Sequence, residues 1–291
     1  MKKYSSLAEL LVDYRDYHKI SQLDLAAKLD VDVRTVIRWE KNESLVKQEK
    51  EKDFVENLGI PHQVIRNLNT EKPIPIYYDF FRRVYSFSFL SQKVLSTSEF
   101  IKDLEINTDR IHQISSEKDI EFITYIQKLN NNNRPLKAEL ILKAAQILPE
   151  LNLVLYSHSG FCAGHVTILP LKYSTYQKIR NQEMPEGNLD MNDLTFDFTS
   201  SPRVFYYYSM YADSADNSYY LLNRIMWHFK KNKYKDYIFA GITYRKLKIE
   251  LFKELGLKVI WETPISEDSE YMATLLEGNL DEYLFEKKGD C

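Results

Sequence analysis

The chain has 291 residues, a formal net charge of −3 and 44% hydrophobic residues, a composition typical of a globular rather than a disordered protein. Its length suffices for two domains, each with its own core. No run of about 18 apolar residues occurs and the first residues lack a signal-peptide core, so we expect a cytoplasmic protein without membrane contact. Only two cysteines occur, which argues against a secreted disulfide framework. The six histidines have no partners at ligand spacing, so no metal is predicted.

The first seventy residues predict a bundle of short helices. In the first helix, apolar residues recur at three- and four-residue intervals: Leu7, Leu10, Leu11 and Tyr14. Ser21 is the predicted N-cap of a second helix. That helix ends at Asp30, a residue type that tolerates left-handed geometry, and its apolar residues are Leu23, Leu25, Ala26 and Leu29. Asp32 is the predicted N-cap of a third helix, from Val33 to Lys41.

The third helix directs basic and polar side chains outward. Val36 and Trp39 lie three residues apart and belong to the buried stripe. The other side chains are then directed to solvent: Arg34, Thr35, Ile37, Arg38 and Lys41. Arg34 and Arg38 lie one turn apart and project together. Such a surface fits the major groove of DNA, although amphipathic spacing alone is equally compatible with a solvated face.

The stretch SQLDLAAKLDVDVRTVIRWEKN, residues 21–42, resembles the lambda-repressor-like, or XRE-type, helix-turn-helix family, which is all-α. It shares the Ser-Gln opening of helix 2, the Leu-Ala pair within it and the Trp-Glu pair that ends helix 3. The likeness covers about residues 5–69 and implies binding to a double-stranded DNA operator. It implies a phosphate contact for Gln22 and base-edge contacts for Val33, Arg34 and Arg38, with Thr35 and Ile37 beside them. Asp30 stands where the family usually has glycine.

The charge that matters for DNA is local. Residues 1–70 contain 12 Lys and Arg and 12 Asp and Glu, so this region is neutral overall. Its predicted basic face consists of Arg34, Arg38, Lys41, Lys47, Lys50 and Lys52. DNA responds to charge within a Debye length of about 10 Å. Because so few basic contacts imply weak non-specific binding, we expect a homodimer on paired half-sites.

The segment NTEKPIPIYYDF predicts a domain boundary, because its prolines favour an extended backbone. Residues 77–104 are rich in Phe and Tyr and predict a helical segment that packs in a core or, alternatively, forms a dimer contact. The expected organisation is therefore 1–70 for the helix-turn-helix domain, 71–104 for the linker and aromatic segment, and 105–291 for a second domain.

From residue 109 onward, strands alternate with helices. A strand at RIHQIS precedes two helices, SEKDIEFITYIQKL and LKAELILKAAQIL, the first with a capping-box-like Ser116 and Asp119. A hairpin is predicted at LNLVLYSHSGFCAGHVTILPL. A polar segment follows, and after it an aromatic strand is predicted at RVFYYYSMYA. A helix, a strand, a helix and a final strand follow: SYYLLNRIMWHFKKN, DYIFAGIT, KLKIELFKELG and LKVIWETP. Residues 266–291 are compatible with either a closing helix or a loose tail.

This order resembles the GNAT superfamily of acyl-CoA-dependent N-acetyltransferases, an α/β fold with a mixed sheet flanked by helices. SGFCAGHVTILPL and LFKELGLKVIWE carry the likeness, which covers about residues 105–265. It implies acetyl-CoA or another acyl-CoA as the cofactor. A pantetheine arm would pair with the backbone of Met210 to Ala212, and an anion would meet free N–H groups near Ser218 and Tyr219.

Three departures from that family indicate a lost or altered activity. DSADNSYY has no glycine and no basic residue where the family binds the pyrophosphate. Phe252 stands where a tyrosine often protonates the leaving thiolate, and no glutamate lies on the RVFYYYSMYA strand. Tyr211 and Tyr244 are the alternative donors, although nothing selects them among 21 tyrosines. No residue is therefore assigned as catalytic, and no cofactor is required.

Three functions follow from these patterns. The first is a transcriptional regulator that binds DNA, with a GNAT-like domain for ligand sensing or dimerisation. The second is an active acyl-CoA-dependent N-acetyltransferase fused to a helix-turn-helix. The third is an interaction protein whose small helical domain binds protein.

Overall fold

The computed structural model describes residues 1–87, 108–129, 135–196, 202–244, 246–264 and 272–285. The chain divides into two compact units, Met1–Ser96 with Ala212–Ser218, and Thr97–Tyr211 with Tyr219–Cys291. This division differs from the expected one because the first unit continues beyond residue 70 and also takes a short segment from late in the chain. Within the described ranges, no helix is long and apolar enough to cross a membrane.

Five helices form most of the first unit: α1 (Leu7–His18), α2 (Gln22–Lys28), α3 (Val33–Glu40), α4 (Gln48–Leu58) and α5 (His62–Leu68). The predicted N-caps are confirmed. Ser21 accepts a hydrogen bond from the Asp24 N–H and forms a full capping box with that residue, and Asp32 accepts one from the Arg34 N–H. Asp30 lies in the α2–α3 turn with φ +49°, as its residue type predicts.

The first unit is not all-α. Three antiparallel strands, β1 (Lys2–Tyr4), β2 (Ile76–Asp79) and β3 (Val84–Ser86), form a sheet in the order β1-β2-β3. The helix predicted over 77–104 is therefore wrong for residues 77–87, and residues 88–104 lie outside the described part. Burial alternates along β2, where Ile76 and Tyr78 face the core, which is the period of a strand.

The apolar stripes of the helices and strands of this unit share one core. Leu23 is an exception to the predicted stripe, because it is 67% exposed on α2. Large fully buried members are Leu10, Leu11, Leu25, Leu29, Phe54 and Tyr78. Because β2 closes the same core as the helices, the aromatic residues after the Pro-rich segment belong to this unit.

The second unit contains α6 (Glu117–Leu129), α7 (Ala138–Ile147), α8 (Tyr173–Arg180), α9 (Ala215–Asn232), α10 (Lys246–Glu254) and α11 (Asp281–Phe285), of which Ala215–Ser218 belong to the first unit. Its strands are β4 (Ile111–Gln113), β5 (Leu153–Tyr156), β6 (Cys162–Leu171), β7 (Arg203–Ala212), β8 (Tyr237–Thr243), β9 (Lys258–Pro264) and β10 (Met272–Gly278). They form one seven-stranded sheet in the order β4-β5-β6-β7-β8-β10-β9, in which β7 and β8 are parallel.

The elements predicted from β4 to β9 are all present in the predicted order, with one additional helix, α8, between β6 and β7. The capping box is also present, since the Asp119 carboxylate accepts from the Ser115 and Ser116 N–H groups and the Asp119 N–H donates to Ser116 Oγ. However, β9 is not the last strand. Within the undecided segment 266–291, Met272–Gly278 form β10, which was not predicted and which inserts between β8 and β9, antiparallel to both. A short closing helix, α11 (Asp281–Phe285), follows it, as one of the two expected alternatives. Helix α8 was not predicted, because its sequence reads as a polar connection.

Side chains of β7 pack on both faces of this sheet. Val204, Tyr206 and Tyr208 share a core with residues of α6, α7 and α8. The alternate residues Phe205 and Tyr207 contact the aromatic rings of Phe229 and Phe252, which lie on α9 and α10. Helices therefore flank the mixed sheet, as the sequence predicts.

Candidate functional site

The outward face of α3 is present as predicted. Arg34, Arg38 and Lys41 are exposed, whereas Val36 and Trp39 are 0% and 6% exposed and belong to the core. Three further predicted contact residues are half-buried beside the arginines: Val33, Thr35 and Ile37. Among the described residues, none of the three exposed cations forms an ion pair, so their charge is directed to solvent.

The basic face is smaller than the sequence predicts. Lys50 Nζ lies 2.9 Å from an Asp53 carboxylate oxygen and also donates to the Leu29 and Asp30 carbonyls. Lys47 lies 3.8 Å from Glu49, and Lys52 lies 3.4 Å from Glu56. Because these three lysines have acidic neighbours, the positive charge of the predicted basic face that remains uncompensated is that of Arg34, Arg38 and Lys41.

One carboxylate fixes the end of α3 to the two helices before it. Glu40, whose side chain is 6% exposed, accepts from Arg15 Nε at 2.5 Å and from Arg15 Nη2 at 3.0 Å. It also accepts from the Gln22 side-chain amide at 2.7 Å. Arg15 lies on α1 and Gln22 opens α2, so Glu40 joins α1, α2 and α3. The sequence analysis missed Arg15 and Glu40 because their pairing spans 25 residues.

The network changes the expectation for Gln22. Its amide N–H group, predicted to contact phosphate, is already directed at Glu40. In this arrangement Gln22 positions α3, and only its remaining polar groups are available to DNA.

In the second unit, β7 and β8 separate at their C-terminal ends. Their parallel pairing runs from Arg203 and Tyr237 to Tyr207 and Gly241, whereas β7 itself continues to Ala212. A Cβ at Gly241 would lie 2.6 Å from the Tyr207 carbonyl oxygen, so only glycine fits where the strands last pair.

Lys248 of α10 contacts β7 where this pairing ends. Lys248 Nζ donates to Tyr207 Oη at 2.9 Å and to the Met210 carbonyl at 3.2 Å. The Met210 carbonyl that the sequence assigns to a pantetheine arm therefore accepts a hydrogen bond from this ammonium, and Ala212 is buried.

The predicted anion site near Ser218 and Tyr219 is wrong for Ser218. Helix α9 begins at Ala215, three residues earlier than predicted, and the Ser218 N–H already donates to the Ser214 carbonyl at 3.0 Å. Tyr219, one residue further along α9, is only 8% exposed.

The connection before α9 is hydrogen-bonded within the first unit. The Asn217 N–H donates to Ser214 Oγ, and the Asn217 amide donates to the Asp213 carboxylate at 2.6 Å. The Tyr85 N–H donates to the Asp213 carbonyl at 2.7 Å. The residues present do not fit a pyrophosphate, because a carboxylate stands there and every position carries a side chain.

A carboxyl group that sequence reasoning missed, on the half-buried residue Glu186, lies against the middle of β7. Tyr206 Oη donates to Glu186 Oε1 at 2.9 Å. Burial raises the pKa of Glu186 to about 7, even though the hydrogen bond from Tyr206 favours the ionised form. No sequence signal indicates this pairing, because Glu186 lies in a short turn of the polar segment before β7.

The three aromatic residues discussed for the proton-donor role lie in different surroundings. Phe252 is 3% exposed, and its ring lies 5.1 Å from that of Tyr207. Burial, followed by the negative charge of Glu186, raises the pKa of Tyr244 to about 12, so Tyr244 keeps its proton at neutral pH. The Tyr211 ring lies 6.4 Å from His165. Within the described part of the chain, no three His, Cys, Asp or Glu side chains form a group that could hold a metal ion.

Comparison with known proteins identifies no close relative. No protein-family model and no curated protein matches the chain. Similar solved structures include a polyamine N-acetyltransferase of Drosophila melanogaster, with 10% identity, 58% of this chain and 99% of that chain covered, and a TM-score of 0.39. An agmatine N-acetyltransferase has 11% identity, 57% and 97% coverage, and a TM-score of 0.40. The putative acetyltransferase yncA of Salmonella typhimurium, solved with acetyl-CoA, has 17% identity, 59% and 94% coverage, and a TM-score of 0.37.

At these identities and TM-scores the similarity supports no conclusion about activity. The element order and the helix-flanked mixed sheet of the second unit themselves fit the acetyltransferase-like fold that the sequence predicts.

Proposed function

We propose that this protein is a sequence-specific DNA-binding regulator in which α3 enters the major groove. The observation that supports this proposal is the exposed pair Arg34 and Arg38 on a helix whose opposite face lies in the core. An α-helix fits the major groove, and arginine can form two hydrogen bonds to guanine O6 and N7. Since Glu40 holds the end of α3, the helix is positioned before DNA binds.

The sparse basic surface supports a homodimer on a two-fold operator. Each chain offers Arg34, Arg38 and Lys41 as uncompensated cations on this face. Few phosphate contacts give weak non-specific binding, and two recognition helices about 34 Å apart reach successive turns of the major groove. In this proposal the second unit supplies dimerisation or ligand sensing, not acyl transfer.

The test is selection of duplexes from a random library, followed by affinity measurements at fixed salt. Arg34→Ala or Arg38→Ala should weaken binding to the selected site by about 1–3 kcal/mol and relax the base preference at one position. Gln22→Ala should weaken all sites alike, since it acts through the position of α3. Lys52→Ala, which removes an exposed lysine beside Glu56 on α4, is the matched control and should bind normally.

Two results would contradict this proposal. One is a library in which no sequence is enriched. The other is an equal loss of affinity on every sequence from the arginine variants, which would make them phosphate contacts only. If the protein instead bound a protein partner with an affinity that did not depend on salt concentration, the alternative of a protein-binding helical domain would be supported.

A second candidate function, acyl-CoA-dependent N-acetylation, is favoured by one observation. The Glu186 carboxyl has a pKa of about 7 and contacts β7, the strand on which the sequence shows no base. Two observations oppose this candidate: the misfit of the residues before α9, and the hydrogen bond from the Lys248 ammonium to the Met210 carbonyl.

Calorimetric titration of the purified protein with acetyl-CoA at physiological salt distinguishes the two functions. We expect no binding at millimolar ligand, because Asp213 and the satisfied connection before α9 disfavour a pyrophosphate. One-to-one binding at micromolar concentration would favour the transferase, and the next step would be a search for its amine substrate.

A further inference from the structure

Two buried polar atoms on one face of β6 have no hydrogen-bond partner within the part of the chain that the structure describes. His165 and Thr167 are both 0% exposed, and their side chains lie two residues apart on the same strand face. His165 Nε2 lies 3.0 Å from Ser209 Oγ on β7. Among the described residues, His165 Nδ1 and Thr167 Oγ1 have no hydrogen-bond partner. Because a buried polar atom without a partner destabilises a fold, such a pair marks a place where another molecule supplies the missing bonds.

Two aromatic rings lie near the His165 ring. The Phe122 ring on α6 lies 6.0 Å from the His165 ring, and the Tyr211 ring on β7 lies 6.4 Å from it. These two rings lie 6.2 Å apart, and both residues are half-buried. A small molecule beside His165 on this side would contact the Phe122 and Tyr211 rings with its apolar part.

The local charge selects the class of ligand. Burial and the positive charge of Lys248 lower the pKa of His165 to about 3, so the imidazole is neutral at physiological pH. When the Ser209 hydroxyl donates to Nε2, the imidazole proton is on Nδ1, and the Thr167 hydroxyl provides a second donor. Two donors in a positive field suit the two oxygens of a carboxylate, whereas a cation would be repelled by Lys248.

We propose that the second unit binds a small carboxylate beside β6, with His165 Nδ1 and Thr167 Oγ1 as its hydrogen-bond donors and Phe122 and Tyr211 over its apolar part. This deepens the ligand-sensing role proposed above and rests on it. Carboxylate binding does not depend on DNA binding. A test without DNA therefore distinguishes failure of the carboxylate site from failure of the DNA-binding proposal.

The first test is a titration of the full-length protein, labelled with ¹⁵N-histidine, with sodium acetate and then with sodium benzoate as probes. His165→Phe assigns the His165 signals among the six histidines. We expect the His165 ring signals to shift and saturate with the carboxylates in the millimolar range, with benzoate the tighter probe because the rings contact it. Acetamide and benzamide are the uncharged controls and should shift these signals much less. Equal shifts with amides and carboxylates, or no shift from either carboxylate at about 50 mM, would overturn the proposal.

The second test uses Thr167→Val, which keeps the shape of the side chain and removes the hydroxyl. Without ligand this variant should melt at a higher temperature than the wild type, because an unpartnered buried hydroxyl is lost. It should also bind benzoate at least several-fold more weakly. A lower melting temperature would show that the hydroxyl has a structural partner, and unchanged benzoate affinity would show that it is not a ligand donor. Either result would overturn the assignment.

Discussion

At the scale of single residues, the side chains that position the candidate sites are charged groups with distant partners. Glu40 receives hydrogen bonds from Arg15 and Gln22, and each of these partners lies on another helix. The outward arginines of α3 have surface positions and contribute little to stability. Residues that support the proposed DNA-binding face and residues that would read DNA can therefore be separated by experiment.

Glu40→Gln should lower the free energy of unfolding by about 2 kcal/mol. The substitution removes the negative charge opposite Arg15, whose side chain is only 18% exposed, and leaves its guanidinium without a charged partner. Urea denaturation followed by circular dichroism measures the loss. Arg38→Ala is the control, because an exposed side chain without an ion pair should change stability by less than about 0.5 kcal/mol. A Glu40→Gln protein as stable as the wild type would show that the network does not hold α3.

Glu186 predicts a dependence of stability on pH. Its carboxyl has a pKa of about 7 in the folded protein, above its ordinary value, so the folded state binds the proton more tightly. The resulting stabilisation is complete below pH 4.5 and is lost as the pH rises through 7. The contribution of this carboxyl to the free energy of unfolding changes by on the order of 3 kcal/mol between these two pH limits.

Urea unfolding at a series of pH values between about 5 and 8 measures this component. Glu186→Gln cannot ionise but keeps a hydrogen-bonding group beside Tyr206, so its unfolding free energy should fall much less over that range. Equal pH dependence in the variant and the wild type would place the titrating group elsewhere.

At the scale of elements, the parallel pair β7 and β8 determines where the sheet opens. Their pairing ends at Tyr207 and Gly241, and Lys248 of α10 donates to Tyr207 Oη and the Met210 carbonyl of β7 at and beyond that point. Phe and Tyr residues on both strands stabilise the pair from the α9 and α10 side. The opening is therefore a property of two strands and one helix.

Gly241→Ala should destabilise the second unit by about 2 kcal/mol, because its Cβ would meet the Tyr207 carbonyl at 2.6 Å and the strands would have to move apart. Gly160→Ala is the comparison. A Cβ there meets nothing within 4 Å, and only the positive φ of +78° opposes it, at a cost of about 1 kcal/mol. Thermal unfolding monitored by tyrosine fluorescence measures both. Equal losses would show that the close approach at Gly241 is relieved without moving the strands.

At the scale of the whole molecule, a net charge of −3 and a DNA-binding surface are compatible. On the predicted basic face, Arg34, Arg38 and Lys41 have no ion pair among the described residues, whereas Lys47, Lys50 and Lys52 have acidic neighbours. A small basic patch on an acidic protein favours selective over general binding to nucleic acid. The overall charge therefore limits non-specific affinity without opposing an operator-binding role.

The sequence by itself determined the local features of both units. It predicted the caps Ser21 and Asp32, the left-handed turn residue Asp30, and the order of elements from β4 to β9. These features depend on the chemistry of a few neighbouring residues or on a hydrophobic period, and both can be read within about one turn or one strand. The exposed face of α3 was also predicted from local sequence, because the buried stripe of a helix determines which of its side chains point outward.

Only the tertiary structure decided how distant segments pair. The strands β2 and β3 were misread because a run of Tyr and Phe fits a buried helix as well as a strand, and only pairing with β1 selects the strand. The position of β10 between β8 and β9, the contact of Glu186 with Tyr206 and the network of Glu40 likewise join residues that are far apart in the chain. Such contacts form because the chain must bury apolar surface and satisfy buried polar groups together, and no local stretch of sequence contains both partners.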